Sequence, residues 1–259
     1  MKQLKKTVVI IMANLCLSSV VLADSWQIMQ EVDVSNVGAD TTLRQTNSSD
    51  NNSVQTLNNI NLNTSYSTIN TGSNQTVKLG GNTLTLTQDA GTSKSKQAVN
   101  RAVAKTVTDL TQVLEASAGD IRLNQTGSAG NDNTQAINEV NADSINRLRQ
   151  KIVAPNGSLV SNQNNVEKNI QASNLITVGR SLSANGVEQK ILIKEATFNQ
   201  QSSSQTFQAG NALLMGDGSG VTGGGITQNF TVNGGALNLN QNQASGAYQS
   251  VNYSGVTTQ

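Results

Sequence analysis

The chain has 259 residues, enough for one or two domains, yet only 36% are hydrophobic, 3% aromatic and 13% charged. Setting aside Lys2, Lys5 and Lys6 leaves 14 of the 17 basic residues against 16 acidic ones, so the remainder is close to neutral. That composition carries neither the basic field of a nucleic-acid binder nor the charge of a solvated disordered chain. Low charge, few aromatics and one proline are the bias of segments that pair as β-strands, because proline cannot donate to a ladder.

In chain order, the first element is a leader. Lys2, Lys5 and Lys6 form a basic head, Thr7 to Val21 an apolar stretch, and Val21-Leu22-Ala23 a small-residue cleavage signal before Asp24. This layout predicts a secretory signal peptide over 1–23 and an extracellular, cell-surface location for 24–259. The apolar run is short for a membrane span and is interrupted by Asn14, Ser18 and Ser19. Cys16, the single cysteine, falls inside it, and Leu15 before it is not the small residue that a lipoprotein anchor wants. The mature chain is therefore expected to hold no thiol, no disulfide and no histidine.

The next feature is a repeat. LRQTNSSDNNSVQTLN at 43–58 and LNQTGSAGNDNTQAIN at 123–138 share Leu, Gln, Thr, Ser, Asn, Gln and Asn in register. The skeleton is apolar-x-Gln, a small polar linker, then Gln-x-apolar-Asn. It occurs as Leu43/Gln45/Gln55/Leu57/Asn58, Leu86/Gln88/Gln97/Val99/Asn100, Leu123/Gln125/Gln135/Ile137/Asn138 and Leu239/Gln241/Gln249/Val251/Asn252. Weaker copies are Ser161/Gln163/Gln171/Ser173/Asn174 and Phe198/Gln200/Gln208/Gly210/Asn211. The leading glutamines are 43, 37, 38, 37 and 41 residues apart, and a fixed period marks stacked repeat folds. Units thus begin near 43, 86, 123, 161, 198 and 239.

Between these units, VKLGGNTLTLTQ at 77–88 resembles FTVNGGALNLNQ at 230–241, with KIVAPNGSLVSNQ at 151–163 a degenerate version turning at Asn156-Gly157. Each reads as alternating strand, turn, alternating strand. In a strand, residues i and i+2 share a face, so Leu123 and Gln125 point one way, as do Gln135 and Ile137. A buried glutamine needs partners for its carbonyl and its NH₂. Stacking identical units about 4.8 Å apart supplies them from copies of itself and fixes register. The expected fold is mainly β: a β-solenoid or cross-β stack of repeats of about 40 residues. Two stretches also fit helices between rungs: Val99, Val103, Leu110 and Leu114 within 97–117, and Ile145, Leu148 and Ile152 within 143–152, with Pro155 beyond. A flexible Asn/Ser/Thr/Gly-rich surface protein is the bland alternative, opposed by the alternation in Leu84-Thr85-Leu86 and Ile226 to Val232.

On these features the chain resembles secreted bacterial functional-amyloid subunits, chiefly curlin and more loosely the Fap-type fibre subunits. The order apolar-x-Gln-x-Gly…Asn…Gln-Ala in LNQTGSAGNDNTQAIN carries the resemblance best, and GGALNLNQNQASGAYQSVN comes next. It covers the mature chain as scattered units. Curlin repeats are shorter and more uniform, glycine follows the first Gln only at Gly127, and the Cys-x-x-Cys common in Fap-type subunits is missing. A major, minor or nucleating subunit and an unrelated β-solenoid all stay open. The resemblance implies a structural fibre for biofilm matrix or adhesion, with self or a related subunit as partner and an outer-membrane secretion apparatus.

Catalytic chemistry is sparse. Without histidine or mature cysteine there is no Ser-His-Asp or Cys-His arrangement and no zinc site of the usual kind. Asp89, Asp109, Asp120, Asp132, Asp143 and Asp217 are scattered and hold no common repeat position. Gly216-Asp217-Gly218-Ser219-Gly220 is one copy of a calcium-like turn without the nonapeptide period, and reads as a loop. Trp26, Tyr66, Tyr248 and Tyr253 are dispersed packing residues rather than a sugar platform. The expectation is a non-enzyme with no cofactor, no metal and no nucleic-acid partner. The second reading is a monomeric β-solenoid adhesin that binds a surface or glycan through its loops.

Overall fold

The computed structural model describes residues 25–45, 53–62, 67–89, 94–127, 132–183, 186–218, 220–223 and 225–257. The leader expected at 1–23 and Tyr66 lie outside them. Every regular element among the described residues is a strand, and the pairings that join them into one sheet are parallel. β1 (Ser25–Trp26), β2 (Met29–Asp33) and β3 (Thr41–Gln45) form a partial opening turn. β4 (Val54–Leu62), β5 (Thr68–Ile69), β6 (Ser73–Gly80) and β7 (Leu84–Gln88) make the first complete turn of the coil. β8 (Lys96–Ala116) with β9 (Ile121–Thr126), then β10 (Thr134–Asn164) alone, then β11 (Ile170–Ser183) with β12 (Val187–Gln201), make the next three. β13 (Phe207–Gly216), β14 (Gly220–Thr222), β15 (Ile226–Val232) and β16 (Leu237–Asn242) complete a fifth, and β17 (Tyr248–Thr257) starts another.

The described residues thus form a β-solenoid of five complete turns between two partial ones. β10 shows the plan of a turn: a first arm at 134–142, a short second at 144–145, a third at 148–154 and a fourth at 158–164. Each arm pairs residue for residue with the same arm above and below, as Gln135 does with Gln97 and Gln171. Turns, not hairpins, separate the alternating strands at 77–88, 151–163 and 230–241, since their halves pair with neighbouring turns and not with each other. Pro155 sits in the corner where the ladder breaks between Ala154 and Ser158, a place that asks for no ladder donor.

The helices expected within 97–117 and 143–152 are strand instead. The helical spacing came from corners. Within an arm the buried positions are two apart, but the first arm bends where Ile137 and Asn138 both turn inward, and the chain bends again between Ile145 and Leu148. Each bend shifts the alternation by one, so a period of two reads locally as three and four. Val103, counted on the apolar face of that helix, is only half-buried.

Inside the coil, side chains fill two apolar compartments. One holds Leu86, Leu123, Ile137, Ile152 and Leu159; the other holds Val107, Val140, Ile145 and Leu148. Asn138 lies between Ile137 and Val140 on the first arm, and Gln150 between Leu148 and Ile152 on the third. Their amides therefore stand on the boundary between the compartments. In one of the weaker repeat copies, Gly210 leaves room for the Phe230 ring, which packs on Phe198 with centroids 6.0 Å apart.

Candidate assembly site

The amide side chains named from the repeat form three continuous files along the coil. On the fourth arm, the Nε2 groups of Gln88, Gln125, Gln163, Gln200 and Gln241 donate to the Oε1 atoms of Gln45, Gln88, Gln125, Gln163 and Gln200, at 2.6–2.9 Å. On the first arm, Gln97, Gln135, Gln171, Gln208 and Gln249 donate in the same sense, with Gln55 the first acceptor, at 2.7–2.9 Å. The third file runs the other way. Asn58, Asn100, Asn138, Asn174 and Asn211 each donate forward, ending on Asn252 Oδ1, at 2.8 Å throughout.

In the interior turns the remaining N–H of these amides crosses to a backbone carbonyl. Gln135 reaches Asn124 at 3.1 Å, Gln125 reaches Ile170 at 3.2 Å and Asn138 reaches Lys151 at 3.1 Å. Each file thus ties two walls together as well as one turn to the next. Buried amides are costly when unmet; here both protons and the oxygen find partners, and Gln125, Gln135 and Asn138 have no solvent exposure.

A fourth inward file was missed. Gln30, Gln75, Gln112, Gln150, Gln189 and Gln228 stack on the third arm at 2.7–2.9 Å, donating in the same sense as the other glutamines. Their spacing of 45, 37, 38, 39 and 39 matches the repeat period, which was the available signal. It was hidden because the file sits in mid-arm, away from the turn residues that frame the other units. A fifth file faces outward: Asn162, Asn199 and Asn240 donate back to Asn124, Asn162 and Asn199 at 2.8–2.9 Å along an open groove on the fourth arm.

The files end at faces of different character. From Gly218 onward the chain has no charged residue, and every residue of β16 is exposed. Leu239 continues the buried column of Leu43, Leu86, Leu123 and Phe198, yet is 42% exposed where Leu43 is 4%. The opening turn carries Glu31, Asp33 and Arg44 on its strands. Trp26 and Tyr248, expected as packing residues, are exposed on the first and last turns. Tyr253 packs edge-on against Phe207 at 4.8 Å.

The acidic residues stay apart. Asp89 pairs with Arg44, Asp109 with Arg147, Asp120 with Arg122, and Asp143 with Lys105 and Arg180. Among the described residues no group of three His, Cys, Asp or Glu side chains could hold a metal ion. Compared with known proteins, the chain matches no family model, no curated protein and no solved structure. What the described residues offer is a closing sheet edge exposed along β16, an opening edge on which Leu43 and Gln45 of β3 are buried, and the ends of directional hydrogen-bond files.

Proposed function

We propose that this protein is an exported structural subunit that extends an extracellular fibre by adding copies end to end. One observation carries the reading: the amide files run through every complete turn and stop at an edge, so a further turn satisfies them as the internal turns do. An exposed, uncharged edge is what natural sheet proteins avoid unless pairing is intended, and cross-β stacking makes each added layer identical to the last. Export is the part that the leader layout at 1–23 supports. Fibres of the chain from Asp24 are expected to bind thioflavin and to give a reflection at about 4.7–4.8 Å. A solution that stays monomeric for days at high concentration would abandon the reading.

The outward Asn file supports a second reading, a monomeric adhesin whose open groove binds a surface or glycan. It predicts a soluble, cooperatively folding monomer with strand-rich circular dichroism. Size exclusion followed by circular dichroism separates the two.

A further inference from the structure

The two end faces differ by part of a turn. Among the described residues, the opening face consists of second, third and fourth arms (β1, β2, β3) with β4 one level further in; the closing face consists of the second, third and fourth arms β14, β15 and β16 with the lone first arm β17 one level further out. Among the described residues these two part-levels are complementary: the first holds second, third and fourth arms, and the last holds a first arm. Resting on the fibre reading above, we infer that copies join head to tail, with β17 of one and β1 to β3 of the next completing a single shared turn. In that joint β4 lies on β17, β1 on β14, β2 on β15 and β3 on β16.

The direction of the files allows one polarity. Every glutamine-to-glutamine bond of the files is donated toward the opening face, so the closing face presents the Oε1 atoms of Gln241 and Gln249, which accept from no described residue. At the other end, Gln55 accepts from Gln97, leaving its own NH₂ to donate outward, while Gln45 donates to Ser53 Oγ at 3.1 Å and to the Lys96 carbonyl at 3.2 Å and exchanges Ser53 for Gln241 in the joint. The Asn file fits in reverse, with Asn252 offering Nδ2 and Asn58 offering Oδ1. Two closing faces brought together would set carbonyl oxygen against carbonyl oxygen. Two opening faces would bring the acidic strand β2, with Glu31 and Asp33, against its own copy running the other way. Like charges facing each other across strands are destabilising, and only the closing face is free of charge.

Register follows from the column of first-arm positions that runs Val54, Lys96, Thr134, Ile170, Phe207, Tyr248. The next member of the column after Tyr248 is Val54 of the following copy. Both are exposed, at 64% and 48%, and in-register parallel neighbours at about 4.8 Å are within disulfide range. Six levels per copy give an axial repeat of about 29 Å.

The test uses two single-cysteine variants of the chain from Asp24, Val54→Cys and Tyr248→Cys, oxidised after assembly separately and as an equal mixture. Disulfide-linked pairs are expected in the mixture alone, with a meridional repeat near 29 Å in aligned fibres. Linked pairs within either separate sample mean like faces meet, which overturns the head-to-tail joint and leaves the fibre standing. Fibres that cross-link in no sample overturn the register in the same way. Variants and parent that all stay monomeric remove the fibre reading, and the joint with it.

Discussion

Gln135 and Asn138 sit three residues apart on one arm and send their amide protons opposite ways along the coil: Gln135 back to Gln97 and Asn138 forward to Asn174, each at 2.8 Å. Each amide is both a rung of its file and a tie across the interior. Removing one therefore strands groups on two neighbouring turns.

Gln135→Leu leaves Gln97 Oε1, one proton of Gln171 and the Asn124 carbonyl without their partner. An unmet buried polar group costs about 1–3 kcal/mol, so the variant is expected to lose at least about 2 kcal/mol. Asn240→Leu, on the exposed last turn, should cost under about 0.5 kcal/mol. Urea denaturation compares them, and equal losses would deny the files a structural role.

Gly210 tests the packing of the closing turns. A Cβ there would lie 2.6 Å from the Phe230 ring and 2.7 Å from the Val251 carbonyl oxygen. Gly210→Val should destabilise by about 1–3 kcal/mol through overpacking. Pairing it with Phe230→Leu should restore much of the loss, because the position opposite is then vacated. No rescue in the thermal melt of the double variant would mean that the glycine serves its backbone and not the ring.

Much of this fold was legible in the residues, for a physical reason. Stacked turns satisfy Gln and Asn only with like residues, so Gln45, Gln88 and Gln125 had to recur at a near-constant interval, and the interval could be read. The corners could not. A bend at Ile137-Asn138 shifts the alternation by one, and Val99, Val103, Leu110 and Leu114 then mimic helical spacing. The Gln150 file escaped because its flanks, Arg149 and Lys151, face outward and look like an ordinary charged strand. The loops gave no sign of the exposed apolar edge at β16, which depends on what is stacked above Leu239 rather than on Leu239 itself.

Arg101 and Glu139 form a buried ion pair at 3.3 Å on the outside of the first-arm bend. The next turns carry Leu175 and Ala212 in that column. Arg101→Met alone leaves Glu139 with Lys96 at 3.8 Å as its ion partner, and breaking a buried pair on one side costs about 3–5 kcal/mol. Arg101→Met with Glu139→Leu extends the apolar column of the later turns and should be neutral or stabilising by about 1–4 kcal/mol. A double variant less stable than the single one, by denaturation, would show that the pair itself holds the bend.

Asp120 sets the sign of one pH effect. Its carboxylate accepts from Arg122 at 2.7 Å and from Ser158 on the next turn at 2.6 Å. These bonds, the Arg122 one first, hold its pKa below the ordinary value. A group whose pKa is depressed by folding adds stability above its unfolded pKa and loses it as pH falls through the folded one. The carboxylate is 36% exposed, so solvent screens the effect and the loss should be modest. The inward amide files do not titrate, and they should carry the coil through the same acid range. Thermal midpoints measured from about pH 7 down to about pH 2 should fall for the parent chain, and Asp120→Asn should flatten the acid end of that curve. Parallel curves would mean that the corner between the two turns is held by its backbone alone.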